Sequence, residues 1–263
     1  MTAPSIDAEG DGWLRLTETG WQNGIAVYEK TFSSADGMQI TFDYVTASGA
    51  AYALAFFLVD GNASVAIGAP PAGHPSDRLG YTAITDRYVG IALDTQGEFG
   101  YTCGNPISCR KPQSVTVRGV VPPNSPLAPL HSVDLSDVAM FPTLLGRVGR
   151  SSRTDARTAR ITLSPVSPPA APYPTLTVEI DPTGTGQGFV TVINALDLSS
   201  NGPVPATFKL GFIAQTAGSG GNYEVRIKRK AIPVPALGQG TLGVLVVVLM
   251  LLTVPALRRR FRN

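Results

Sequence analysis

Apolar and polar residues alternate with a period of two along most of the first 216 positions, in short runs broken by Gly, Pro, Asn, Asp and Ser. Successive side chains of a strand point to opposite faces, so this pattern predicts strands with one buried face. Nine runs stand out: residues 24–32, 38–45, 53–59, 90–94, 114–118, 158–163, 175–180, 188–193 and 208–214. No comparable stretch ahead of the C-terminal tail has the caps and the 3.6-residue period of a helix. Without helices to cover a parallel sheet, nine or more strands in one compartment predict an all-β antiparallel sandwich or jelly roll. One domain over residues 1–230 holds them all.

The pattern changes in residues 231–263. Residues 236–257 carry no charge and include the run 242–254, almost all Leu and Val. As a helix this stretch is about 33 Å long, enough to cross a hydrocarbon layer of about 30 Å. Arg258, Arg259, Arg260 and Arg262 follow at once. The positive-inside bias places that arginine cluster in the cytoplasm and everything before the span outside it. The tail therefore predicts one C-terminal transmembrane helix and a membrane-anchored domain on the extracytoplasmic side, in the periplasm or at the cell surface. An exported domain calls for an N-terminal signal, yet residues 1–12 have neither a basic region nor an apolar run. An upstream start is our preferred reading, over a shortened chain or a tail that inserts alone.

Charge sharpens the picture. The 263 residues include 21 Lys and Arg against 19 Asp and Glu, a net charge of +2. Without the four terminal arginines the first 230 residues hold 17 basic against 19 acidic side chains, so the folded part lacks the basic face of a nucleic-acid binder. Charged residues make up only 15% of the chain while 43% is hydrophobic, which excludes an acidic disordered chain. The 28 Gly and 22 Pro suit many turns. Arg147, Arg150, Arg153, Arg157 and Arg160 read as a solvated loop running into a strand, because Gly146, Gly149, Ser151 and Ser152 interrupt any helix. The Pro-rich stretch 164–172 reads as a stiff hairpin connection.

Cys103 and Cys109 are the two cysteines, separated by a turn-rich segment that brings their Cα atoms within bridging distance. An oxidising compartment favours a disulfide between them over two free thiols. His74 and His131 have no ligand spacing to the cysteines, so zinc is not supported, and both lie in proline-flanked loops that offer no Ser-His-Asp arrangement.

Seven segments in order, residues 11–17, 54–61, 79–81, 88–95, 112–119, 176–181 and 210–216, resemble elements of the bacterial relatives of the L-type, or legume-type, lectins. The likeness covers residues 11–230 and implies a concanavalin A-like jelly roll, with a flat back sheet on a curved front sheet. Such domains open with a further strand and a loop before the first of these segments; only about a dozen residues stand before residue 14 here, so that first strand is expected to be missing. The tail resembles the C-terminal sorting signals named for an Ile-Pro-Thr-Leu motif: Pro235 and Leu237 match, and Val234 and Ala236 replace Ile and Thr. That likeness implies retention or transpeptidation at the surface, with a sorting enzyme as a partner.

In such lectins sugar sits among loops at one end of the front sheet, and bound metal stiffens those loops. The acidic position before the strand at residue 54 falls here on Tyr52, whose ring can stack on a sugar face and whose phenol can hydrogen-bond. Asp94 matches the metal aspartate, and Glu98 stands where an asparagine is usual. Ala92 replaces a glutamate, which removes the transition-metal site, whereas calcium through Asp94 and Glu98 remains open. The resemblance makes Asp77 a substitute acceptor and Arg78 a donor, with Glu98, Asn222 and Tyr223 as further sugar contacts. The function expected is a non-catalytic carbohydrate-binding domain with a glycan or polysaccharide partner. The alternatives are a degenerate lectin fold that binds a protein partner, and a polysaccharide hydrolase using Glu179 and Asp181, which share one strand face.

Overall fold

The computed structural model describes residues 5–6, 12–18, 20–46, 51–65, 78–100, 110–120, 129–135, 153–168, 171–216 and 222–232. Through them run thirteen strands: β1 (Ser5–Ile6), β2 (Leu14–Thr17), β3 (Gln22–Ser33), β4 (Met38–Thr46), β5 (Ala51–Asp60), β6 (Arg87–Asp94), β7 (Ser114–Arg118), β8 (His131–Asp134), β9 (Arg157–Leu163), β10 (Thr175–Asp181), β11 (Val190–Asp197), β12 (Thr207–Thr216) and β13 (Tyr223–Ile232). The back sheet has the order β1-β2-β13-β4-β9-β10-β11 and the front sheet β3-β12-β5-β6-β7-β8. Every pairing is antiparallel.

All nine predicted runs are strands. The four others were not legible from alternation alone. β1 and β2 are short, and β8 places His131 in the edge strand of the front sheet rather than in a loop. β13 looks like a charged tail, because Glu224, Arg226 and Lys228 occupy its outward positions. Those charges find partners only once the sheet forms: Glu224 pairs with Arg15 and Arg153, while Asp43 takes both Arg226 and Lys228.

The alternation resolves into two cores. Between the sheets, Ile40, Phe42 and Tyr44 of β4 and Leu176, Val178 and Ile180 of β10 meet Leu54, Phe56 and Leu58 of β5 and Leu210 and Phe212 of β12. Phe42 packs edge-on to Phe212, with ring centroids 4.9 Å apart. The opposite face of the front sheet is also apolar, through Ala53, Ala55, Phe57, Ala92 and Ile213, and is roofed by Leu79, Tyr81, Ile84 and Phe99. This second core accounts for the apolar residues on both faces of the central front strands, as over residues 53–59. It also fixes Gly90, where a Cβ would lie 2.7 Å from the Tyr81 ring.

The expected membrane span, residues 236–257, lies outside the described residues, as do Cys103, Cys109 and Asp77. Among the described residues no helix is long and apolar enough to cross a membrane.

Candidate binding site

Chain connectivity gathers the candidate residues at one end of the sandwich. The chain crosses between sheets there three times, from β2 to β3, from β4 to β5 and from β12 to β13. The register sets Gln22 beside Thr216, Thr216 beside Ala51, Ala53 beside Asp94 and Asp94 beside Ser114, so these positions form a single rim of the front sheet.

Asp94 ends β6 and organises the turn that follows. One carboxylate oxygen accepts hydrogen bonds from the amides of Gly97 and Glu98 at 2.8 and 3.1 Å, the other from Phe99 and Gly100 at 2.7 and 2.9 Å. The side chain is fully buried. Burial pushes its carboxyl up to about 7, against the pull of the Gly97, Gly100 and Phe99 amides, and the nearby Glu98 charge adds to the rise. Gly97 has φ +82°, and a Cβ there would sit 2.3 Å from the Lys111 nitrogen. Only glycine permits this approach, which presses the turn against the backbone of Lys111 and Pro112. The neighbouring Arg110 thereby forms an ion pair with Glu98, whose side chain is fully buried while that of Arg110 is 30% exposed.

Tyr52 is tied to the same turn, since its carbonyl accepts the amides of Thr95 and Gln96 at 3.1 and 3.2 Å. The residue is 8% exposed. Burial raises its phenol, Glu98 raises it further, and Arg110 counteracts both, so the three side chains share one electrostatic neighbourhood. Trp21, which the alternation does not single out, lies with its ring centroid 6.0 Å from that of Tyr52 and is 64% exposed. Its backbone is held on both sides. The Thr216 hydroxyl donates to the Gly20 carbonyl at 2.8 Å, and the Gln22 side chain accepts the Glu18 amide at 2.6 Å. Trp21 is thus an exposed aromatic held next to Tyr52 at the rim.

The other predicted residues fall in different places. Asn222 is half-buried at the entrance to β13. Tyr223 opens that strand and is fully buried, with its hydroxyl 3.5 Å from that of Thr95 and its amide donating to the Thr17 hydroxyl at 3.0 Å. It braces the rim from beneath, because pairing β13 with β2 turns its ring inward. Arg78 begins a 3-10 segment, Arg78–Ala83, in which Leu79 holds a left-handed φ of +63°. Glu179 pairs with Arg160 at 3.2 Å on the outer face of the back sheet, and Asp181 is engaged by its own turn. These two carboxylates do not face each other across a cleft.

Among the described residues the donor set at the rim does not suit a calcium ion. Both oxygens of Asp94 are occupied by amides and Glu98 is paired with Arg110, whereas calcium takes six to eight oxygens. Among the described residues no group of three or more His, Cys, Asp and Glu side chains converges.

The described residues form two stacked antiparallel sheets with a second apolar layer over the front sheet. No family model matches the chain, and no curated protein does. Solved structures do. The chain is similar to the VIP36 exoplasmic/lumenal domain in its Ca2+/Man3GlcNAc-bound form, at a TM-score of 0.54 and 12% identity, over 90% of this chain and 85% of that one. It is similar to the potassium-bound Emp46p carbohydrate recognition domain, at 0.52 and 15%, over 86% and 84%. The metal-free lectin I-B4 of Griffonia simplicifolia aligns at 0.50 and 18%, over 85% and 88%.

Proposed function

We propose that this chain is a non-catalytic, lectin-like module that binds a glycan or polysaccharide at the Trp21–Tyr52 rim. The observation that carries the reading is an aromatic pair, one ring open to solvent, set beside the Glu98–Arg110 ion pair at the loop-built end of a lectin-type sandwich. Pyranose rings present C–H faces that stack on indole and phenol rings, while their hydroxyls need both donors and acceptors. The rim offers both kinds of contact. The fold shared with VIP36, described with Man3GlcNAc bound, supports the same reading. The tail of residues 231–263 completes the proposal: a helix over residues 236–257 anchors the domain on the extracytoplasmic side with its arginines in the cytoplasm, and residues 234–237 serve a sorting enzyme.

The test is a glycan array probed with the full chain in detergent, wild type beside Trp21→Ala. Binding to at least one glycan class, weakened tenfold or more by the substitution, is expected. A blank array at high protein concentration overturns the reading and favours the alternative of a lectin fold that binds a protein partner.

A further inference from the structure

We infer that the turn after β6 needs no metal ion: backbone amides saturate Asp94, and the Arg110 guanidinium is the built-in cation that balances Glu98. The inference uses the proposed sugar-binding role only to say what the turn supports. Its physical basis is independent of that role.

An ionised carboxylate offers about four lone-pair sites. At Asp94 all four are used, two on each oxygen, by amides at 2.7 to 3.1 Å. The hydrogens of these amides point at the oxygens, so a cation approaching Asp94 meets the positive ends of four N–H dipoles. Such a ring of amides is an anion receptor, and its anion is the protein's own side chain. A metal ion would have to break the turn in order to bind it.

Glu98 presents the complementary problem. A buried carboxylate is costly without a positive partner. Arg110 supplies one that stays charged at any pH the protein meets and presents a planar fork suited to a carboxylate. The partner does not depend on chance proximity. Gly97, pressed against Lys111 and Pro112, docks the chain just after Arg110 onto the turn that carries Glu98. The Gln113 amide closes the arrangement by donating to the Thr95 carbonyl at 3.2 Å. Arg110 is therefore a positioning residue for the rim. Its side chain is partly exposed and acts electrostatically on Tyr52.

The test uses the full chain in detergent and reads its melting temperature in millimolar calcium chloride and in EDTA, together with calorimetric titration of calcium. The expected result is a melting temperature that agrees within about 1 °C between the two conditions, with no heat of calcium binding. A rise of several degrees in calcium, or saturable calcium heat, overturns the inference. Arg110→Ala is expected to lower the melting temperature by about 5–10 °C by removing the guanidinium paired with the buried Glu98. Adding Glu98→Gln to that variant is expected to restore about half of the loss, which removal of a merely structural side chain would not do. A double variant no more stable than Arg110→Ala overturns the pairing. If Arg110→Ala does not fold, folding of the double variant supports the pairing and its failure counts against it. The array separates this inference from the sugar-binding proposal. Glycan binding that EDTA abolishes and calcium restores sinks the inference alone, whereas a blank array with metal-indifferent melting sinks the proposal alone.

Discussion

Two turns at the same end of the sandwich use one device with opposite electrostatic results. Asp94 closes β6 in the front sheet and Asp181 closes β10 in the back sheet, and each gathers donors from the residues just after it. Each turn also contains a glycine with left-handed backbone pressed against another segment. A Cβ at Gly97 would meet the Lys111 nitrogen at 2.3 Å, and one at Gly184 would meet the Ala156 carbonyl oxygen at 1.8 Å. The donors differ. Asp94 takes four amides and no hydroxyl, whereas Asp181 takes the Thr183 hydroxyl at 2.6 Å, the Thr185 hydroxyl at 3.3 Å and the amides of Thr183, Gly186 and Gln187.

Their surroundings differ more. Burial tends to raise both groups. At Asp181 the Thr183 hydroxyl and the amides of Thr183, Gly186 and Gly188 win and hold the carboxyl at about 2. At Asp94 burial wins, with Glu98 as a second negative charge nearby, and the group stands at about 7. The Asp181 turn closes a hairpin in which hydrogen bonds outweigh burial. The Asp94 turn holds a carboxylate whose charge burial opposes, in the same electrostatic neighbourhood as Glu98, Arg110 and Tyr52.

The sharpest way to break this comparison is to remove each acceptor in turn. Asp94→Ala leaves four buried amides without a partner and is expected to cost about 3–5 kcal/mol, read from the shift of the urea midpoint. Asp181→Ala is expected to cost about 2 kcal/mol, because Thr183, Thr185 and Gln187 are exposed and water can replace the lost acceptor. Equal costs would show that the two turns are equivalent and that the front turn has no special burden.

How much of this contrast is visible in the sequence follows from its range along the chain. The strands were legible because β-alternation is local, whereas the second core over the front sheet, whose central strands are apolar on both faces, was not read from that alternation. Asp94 was legible through the lectin resemblance, as the last residue of the run 90–94 that matches the metal aspartate. Its saturation by four amides was not, because that depends on how the next six residues curl. The Glu98–Arg110 pair spans twelve residues and exists only because Gly97 lies against Lys111 and Pro112. Trp21 gave only a weak signal, a large aromatic between Gly20 and the polar Gln22 and Asn23 at the foot of an alternating strand. Tyr223 read as a loop residue because Asn222 and, before it, five residues of Gly, Ser and Ala lead up to it. Pairing with Thr17 and Thr46 makes it a core residue instead.

Acid titration sharpens the comparison with the smallest expected effect. Asp181 is held at about 2 in the folded protein, below the ordinary 3.8, so protons bind more tightly to the unfolded chain. The stabilisation this group contributes is therefore complete above about pH 4 and fades as pH falls toward 2, by roughly 1–2 kcal/mol. Unfolding free energies measured across that window should slope downward with acid in the wild type and less steeply in Asp181→Asn, the difference being the share of this carboxylate. Glu224, held below the usual glutamate value because Arg153 and Arg15 outweigh the effect of burial, adds a loss of the same sign in both proteins and cancels from the comparison. A variant as acid-sensitive as the wild type would mean that the hydroxyl-lined turn does not favour the charged form, and the contrast between the two aspartates would then reduce to their depth.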